Sequence, residues 1–174
     1  GGTDFDRLIV EKFIFPQLLE KYSFDNLEDD MKSASGKYNL KYYVLLHSSE
    51  KAKILLSSQT SADIEISGFK DDNENEVDFE ITITRSEFNN LIREFIDSTI
   101  EMIKKILTRN SLKPNELQFV LMVGGSTYIP YVRQRVEEIL QIPTNCNIDP
   151  TTAVAVGAAY YAATKPKEIK HSDL

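Results

Sequence analysis

Between Asp4 and Tyr22 the apolar residues Phe5, Leu8, Ile9, Phe13, Leu18, Leu19 and Tyr22 return every three or four positions. That spacing gives a helix one buried stripe. Pro16 removes a backbone donor inside the pattern, which predicts a kink or a reset near Phe13. The polar stretch from Ser23 to Lys37, with Gly36 in it, has no clear period and reads as a short helix or a loop. A second helix is expected over Tyr38 to Ser58, where Tyr42, Leu45, Leu46, Ile54 and Leu55 mark an apolar face around a polar Ser48-Ser49-Glu50 middle. The period then falls to two. Ala62, Ile64 and Ile66 alternate with Asp63, Glu65 and Ser67, and after the turn-like KDDNENE the alternation resumes at Val77, Phe79, Ile81 and Ile83. This is the pattern of a hairpin with one wet face.

Ser86 stands where it can cap a long helix whose apolar positions run Phe88, Leu91, Ile92, Phe95, Ile96, Ile100, Ile103, Ile106 and Leu107, ending near Asn110. Pro114 opens a short turn into the continuous apolar run Leu117 to Val123, read as a strand covered on both faces. Gly124, Gly125, Ser126 and Thr127 follow, and then a helix from about Ile129 with Pro130 in its first turn. A last helix is expected from Thr151 to about Thr164, capped by Asp149 with Pro150 beside it. Its small residues Ala153, Ala155, Gly157, Ala158 and Ala159 predict close packing against a neighbour. No internal repeat is visible.

Composition narrows the function classes more than it selects one. With 174 residues, 41% of them hydrophobic and 27% charged, the chain is ordinary for one soluble domain or two small lobes. A chain of this length buries about 70% of its unfolded surface, so no metal or cofactor is needed for folding. Cys146 has no partner cysteine, and with only His47 and His171 beside it a structural zinc site is disfavoured. The same count points to a reducing, cytoplasmic setting. No apolar run approaches the roughly 20 residues of a membrane span, and the opening GGTDFDRLIV lacks a secretory layout. A formal charge of -7, from 27 acidic and 20 basic residues, argues against nucleic acid as a partner. The acidic residues Asp63, Glu65, Asp71, Asp72, Glu74, Glu76, Asp78 and Glu80 read as a solvated surface, without the ligand spacing or central glycine of a calcium loop.

The strand-to-helix turn carries the one chemical signal. A buried strand ending in Gly-Gly-Ser-Thr places bare backbone at its carboxyl end, where open α/β sheets bind ligands, and the helix beyond offers free N–H groups to an anion. A phosphorylated or nucleotide ligand fits there. So does a plain tight turn, because the lysine of a P-loop and the spacing of a dinucleotide fingerprint are both missing.

The segments LMVGGSTYIPYV and IDPTTAVAVGAA, with GGTDFD at the start and SSEKAKILLSS between, resemble the adenosine motif, connecting helix, lobe-II opening and nucleotide-facing helix of the heat-shock protein 70 chaperones (DnaK type). The resemblance runs the length of the chain, in matching order and spacing. It implies an α/β protein with an actin-like ATPase, ribonuclease H-like fold, of which this chain corresponds to lobe II. Residues 1–90 would form an α+β outer subdomain and 91–174 the returning part of the inner one. The amino-terminal lobe, with the phosphate loops, the catalytic lysine and the magnesium-binding aspartates, has no counterpart here. The resemblance therefore implies ATP or ADP in a larger parent, Mg2+ held mainly by the other lobe, and no hydrolysis by this chain alone. The final KPKEIKHSDL falls where the family passes into its interdomain linker, so the peptide-binding domain is expected to lie beyond it. Implied partners are the missing amino-terminal lobe, the substrate-binding domain, unfolded client proteins and a nucleotide exchange factor that grips the outer subdomain; the isolated chain is expected to be monomeric.

Carried over residue by residue, Glu50 and Lys53 fall where the family contacts the ribose, Ser57 where it bonds the adenine edge, and Gly124, Gly125 and Ser126 where its backbone approaches the nucleotide. Read without the resemblance, Glu50 and Lys53 form an exposed ion pair and Ser57 is a helix-terminal hydroxyl. The family sandwiches adenine between two arginines, and those positions here are Ile54 and Tyr128. Tyr128 retains stacking and Ile54 an apolar floor, without any guanidinium, which predicts weaker or altered base recognition. Thr151 replaces a usual acidic residue, and Asp149 a usual asparagine of comparable capping strength. Two other classes remain open: a nucleotide-insensitive relative serving as an adaptor, and an actin-like filament or sugar-kinase relative on the same superfold.

Overall fold

Pro16 decides the shape of the first helical stretch. The computed structural model describes residues 1–145, 149 and 152–164. In it, helix α1 (Gly2–Leu8) passes into a π-helical segment, Ile9–Ile14, before α2 (Phe15–Lys21) begins. The Phe15 N–H reaches back five residues to the Val10 carbonyl, and Pro16 lies in the first turn of α2, where its missing N–H leaves no bond unmade. The expected reset is thus a widened turn that keeps Ile9, Val10, Ile14 and Leu18 on one fully buried side.

A six-residue helix, α3 (Leu27–Lys32), forms in the polar stretch, burying Leu27 and Met31. The chain then turns tightly at Gly36, where a Cβ would lie 2.2 Å from the Asp30 carbonyl oxygen. Helix α4 (Asn39–Leu56) buries Tyr42, Leu45, Ser49, Ala52 and Leu56. Ile54 and Leu55, expected on that face, are exposed. The small Ser49 and Ala52 take the inward positions and let α4 approach its neighbours, rotating the apolar stripe away from Ile54 and Leu55.

Strands β1 (Ser61–Lys70) and β2 (Glu76–Thr84) form the predicted antiparallel hairpin, in register from Ser61 opposite Thr84 to Ile66 opposite Phe79. A bulge follows between Ile66 and Phe69, where Gly68 has a φ of 75°. Ala62, Ile64, Ile66, Val77, Ile81 and Ile83 face inward. The acidic turn departs from the solvated expectation. Asp71 is 3% exposed, because its carboxylate accepts the N–H groups of Ser23, Asn73 and Asn75 and the Asn75 side-chain amide. Asp72 accepts from the Asp25 N–H, the Tyr38 hydroxyl and the Lys37 ammonium. Both tie the hairpin to the helices.

Helix α5 (Arg85–Arg109) is capped by Thr84 and not by Ser86. The Thr84 hydroxyl accepts from the Glu87 N–H at 3.2 Å while the Glu87 carboxylate accepts from the Thr84 N–H at 2.8 Å, a reciprocal box that the last residue of β2 alone is placed to make. Its first turns bury Phe88, Ile92, Ile96 and Ile100, and Phe5 meets Phe88 and Phe95 edge to face, with ring centres 6.4 and 6.3 Å apart. Beyond them Ile106 is exposed.

After a 3-10 turn at Pro114–Glu116, the apolar run yields only a two-residue strand, β3 (Val120–Leu121), paired in parallel with β4 (Thr144–Asn145). The expected double cover is not present among the described residues. Met122 is buried, whereas Phe119, Leu121 and Val123 are exposed, since among the described residues β3 meets a single neighbouring strand. A second 3-10 turn, Gly125–Tyr128, leads into α6 (Pro130–Leu140), which is tied to α5 by an Arg135–Asp97 ion pair of 3.0 Å. The last helix, α7 (Ala153–Thr164), is exposed from Val154 onward, and a Cβ on Gly157 would meet nothing within 4 Å. The expected close packing of its small residues is absent among the described residues, since Ala155, Gly157, Ala158 and Ala159 are exposed. Cys146, Pro150, Thr151, His171 and the KPKEIKHSDL tail, for which the sequence also set expectations, lie outside the described residues. Among the described residues, helices with one antiparallel and one parallel pair of strands make a mixed α and β fold. Among the described residues no helix is long and apolar enough to cross a membrane.

Candidate functional site

The last two turns of α4 form one wall of a cavity of about 750 Å³. Glu50 lies three and four residues before Lys53 and Ile54, which lie four and three residues before Ser57, so a single helical face carries all four into it. Opposite stand Gly125, Ser126 and Tyr128 of the 3-10 turn, with Ile129 and Arg133 from the start of α6. Gly2, Thr3 and Asp6 close the floor from α1. Gly124 lies just outside the lining; its φ of 97° is a left-handed value that favours glycine, and its carbonyl accepts from the Thr127 hydroxyl at 2.7 Å. The sequence-predicted residues thus gather at one place, Gly124 beside the cavity and the other seven in its wall.

Lys53 is not the exposed partner of Glu50. Its ammonium lies 2.7 Å from Asp6 Oδ1 and donates to the Gly2 carbonyl at 3.1 Å. The Lys53 and Asp6 side chains are only 13% and 8% exposed. Burial pushes the Asp6 carboxyl above the usual carboxylate range, and the neighbouring ammonium pulls against it. Glu50 remains half exposed, 3.6 Å from His47 Nδ1. The C-cap residue Ser57 donates its backbone N–H to the Ile54 carbonyl at 3.1 Å.

Tyr128 is held at both ends. Its hydroxyl donates to Asp149 Oδ1 at 3.0 Å, and its carbonyl accepts from Arg133 Nη2 at 3.3 Å, while Arg133 Nε donates to the Thr127 carbonyl at 2.8 Å. The backbone carbonyl of Asp149 accepts the N–H of Ala153, at the start of α7, at 3.0 Å. Sequence reasoning missed Asp6 and Arg133. A carboxylate set between Phe5 and Ile9 on the buried stripe of α1 was the signal for Asp6, because a buried charge requires a partner. Nothing local marked Arg133, whose role depends on the carbonyls of the preceding turn.

Chemically, the cavity offers an aliphatic and an aromatic surface at Ile54 and Tyr128, hydroxyls at Ser57 and Ser126, and a carboxylate and an ammonium at Glu50 and Lys53. This set suits a flat, apolar-faced ring that carries hydroxyl groups. Among the described residues, the lining holds neither histidine nor cysteine.

A family model described as Hsp70 protein matches residues 1–174. The chain is 37% identical over 170 residues to the chaperone protein DnaK of Thermoplasma acidophilum, covering 98% of this chain and 26% of the relative. It is 33% identical over 169 residues to the DnaK of Mycoplasma mycoides subsp. mycoides, at 97% and 27% coverage. To the DnaK of Thermosipho africanus it is 33% identical over 163 residues, at 94% and 26%. The chain therefore spans about a quarter of the length of the curated relatives it matches.

Proposed function

The chain belongs to the heat-shock protein 70 family, and from that premise we propose that it is the adenosine-facing wall of the nucleotide cleft of an ATP-dependent chaperone. The family implies an actin-like ATPase fold. Within that fold the chain is lobe II, residues 1–90 its outer subdomain and 91–174 part of its inner one. One observation carries the reading: Glu50, Lys53 and Ser57 share a cavity of about 750 Å³ with Gly125, Ser126 and Tyr128, some 70 residues later in the chain. That volume falls within the roughly 300–1,000 Å³ usual for small-molecule sites.

ATP or ADP is the ligand in this reading. The Ser57 hydroxyl addresses the base edge, Glu50 and Lys53 the sugar, and the backbone from Gly124 to Ser126 approaches the nucleotide. Ile54 and Tyr128 flank the base. The hydrogen bond from Tyr128 to Asp149 supports such a platform, because an anchored ring loses less freedom when a base stacks on it. Phosphates and Mg2+ are handled mainly by the parent's other lobe, so this chain alone does not turn over ATP. The parent works on unfolded client proteins in the cytoplasm, and an exchange factor grips the outer subdomain, including the hairpin, to open the cleft.

Calorimetric titration of ADP into the full-length parent tests the reading. Native protein is expected to bind, and Ile54→Arg with Tyr128→Arg to bind about tenfold more tightly, as restored cation–π contacts of ~1–2 kcal/mol allow. A folded parent that takes up no ADP would instead be the nucleotide-insensitive adaptor, for which the two missing arginines are the specific argument.

A further inference from the structure

An ammonium seated against a buried carboxylate is not a free cation. The Lys53 ammonium stands in ion-pair contact with Asp6 Oδ1 at 2.7 Å and donates a hydrogen bond to the Gly2 carbonyl, and as a group with three donors it keeps donor capacity for whatever occupies the cavity that it lines. The formal charges of Lys53 and Asp6 cancel. The nearest further charge on the α4 wall is Glu50, which is negative. Across the cavity, the Arg133 guanidinium donates to the Thr127 and Tyr128 carbonyls. The α4 side of the cavity therefore carries no surplus positive charge to draw a phosphate. It presents one oriented donor beside one acceptor, an arrangement that matches a neutral hydroxyl, which both gives and takes a hydrogen bond.

Asp6 also fixes where that donor is. A lysine side chain has several freely rotating bonds, and an unpaired Lys53 would be free to swing across the cavity. The pair joins α1 to α4 at the floor of the site, so the ammonium is set by two helices at once. We propose that Asp6 is a positioning residue, holding Lys53 as a charge-neutralised donor and thereby making this wall select a sugar hydroxyl over a phosphate. The inference rests on the nucleotide reading above and adds to it a residue that acts through Lys53.

The test compares adenosine with 2′,3′-dideoxyadenosine on the full-length parent by calorimetry. Removing the hydroxyls is expected to weaken binding to native protein about tenfold or more, the worth of a hydrogen bond to a charged group. In Asp6→Asn, which keeps the shape and loses the charge, the penalty should fall below about threefold. Asp6→Glu keeps the charge but displaces the ammonium by one methylene, and is expected to show an intermediate penalty. It also serves if Asp6→Asn does not fold. An unchanged penalty in either folded variant means that the pair only braces α1 against α4, and overturns the positioning role alone. Failure of folded native parent to bind adenosine is a different result: it overturns the nucleotide reading, and this inference with it.

Discussion

Asp71 organises a turn made almost wholly of polar residues. One carboxylate receives three backbone N–H groups and a side-chain amide, which hold it below the usual carboxylate range. Asp71→Ala leaves those donors without an acceptor and should lower the melting temperature more than Asp71→Asn, which keeps one oxygen; equal losses would mean that the contacts are incidental. Beside it, Asp72 is held down at about 2, chiefly by the Lys37 ammonium and then by the Asp25 N–H and the Tyr38 hydroxyl. A depressed carboxyl stabilises the folded chain above its ordinary value of 3.8, and that contribution is lost as pH falls from there through about 2. The phenols of Tyr38 and Tyr42 behave oppositely. Burial, assisted by Asp72 and Glu11 respectively, pushes each up to about 12. Their contribution is complete below the ordinary value of 10.0 and is lost as pH rises from there through about 12. Urea midpoints followed by circular dichroism should fall at both ends of this range; a flat profile from pH 9 to 12 would contradict the burial of both rings.

Among the elements, α5 shows how a cap follows from the element before it. Thr84 ends β2, and that extended backbone places its hydroxyl over the first turn of the helix. Thr84→Ala should cost about 1 kcal/mol, whereas Ser86→Ala, inside the first turn, should change stability by less than about 0.5 kcal/mol. Chemical denaturation of the two single variants decides between them. The bend between α3 and α4 has an equally local cause. Gly36→Ala places a methyl against the Asp30 carbonyl, a fixed backbone atom, and should destabilise by about 1–3 kcal/mol, with the loss carried by the Tyr38–Asp30 backbone bond.

For the molecule as a whole, the core that joins α1, α5 and the hairpin also holds the candidate site in shape. Phe88 is fully buried and meets Phe5, which precedes Asp6 by one residue. Phe88→Ala should cost about 3–5 kcal/mol of stability. In the nucleotide reading it should also weaken ADP binding by the full-length parent at temperatures where the protein stays folded, because the α1 floor shifts. Unchanged affinity would show that the floor of the cavity is supported independently of Phe88.

Helix periodicity in α4 and α5 and the alternation in β1 and β2 were legible in the sequence, because each reflects a local repeat: side chains on one face of an element meet water or they do not. The GGST turn was legible for the same reason, since glycines and a following proline act on their own backbone. What packs on an element is not local. The sequence could not reveal that Ser49 and Ala52, rather than Ile54 and Leu55, face inward on α4, nor that the apolar run after Pro114 holds only two residues of strand. Asp71 and Asp72 read as solvent-facing until the chain brought Ser23, Asp25, Lys37 and Tyr38 to them. At the cavity the motifs marked Glu50, Lys53, Ser57 and the glycine turn, but their meeting, and the turning of Lys53 from Glu50 to Asp6, is a product of tertiary packing. A buried charge pairs with the charge that shares its burial, and that partner is chosen in space.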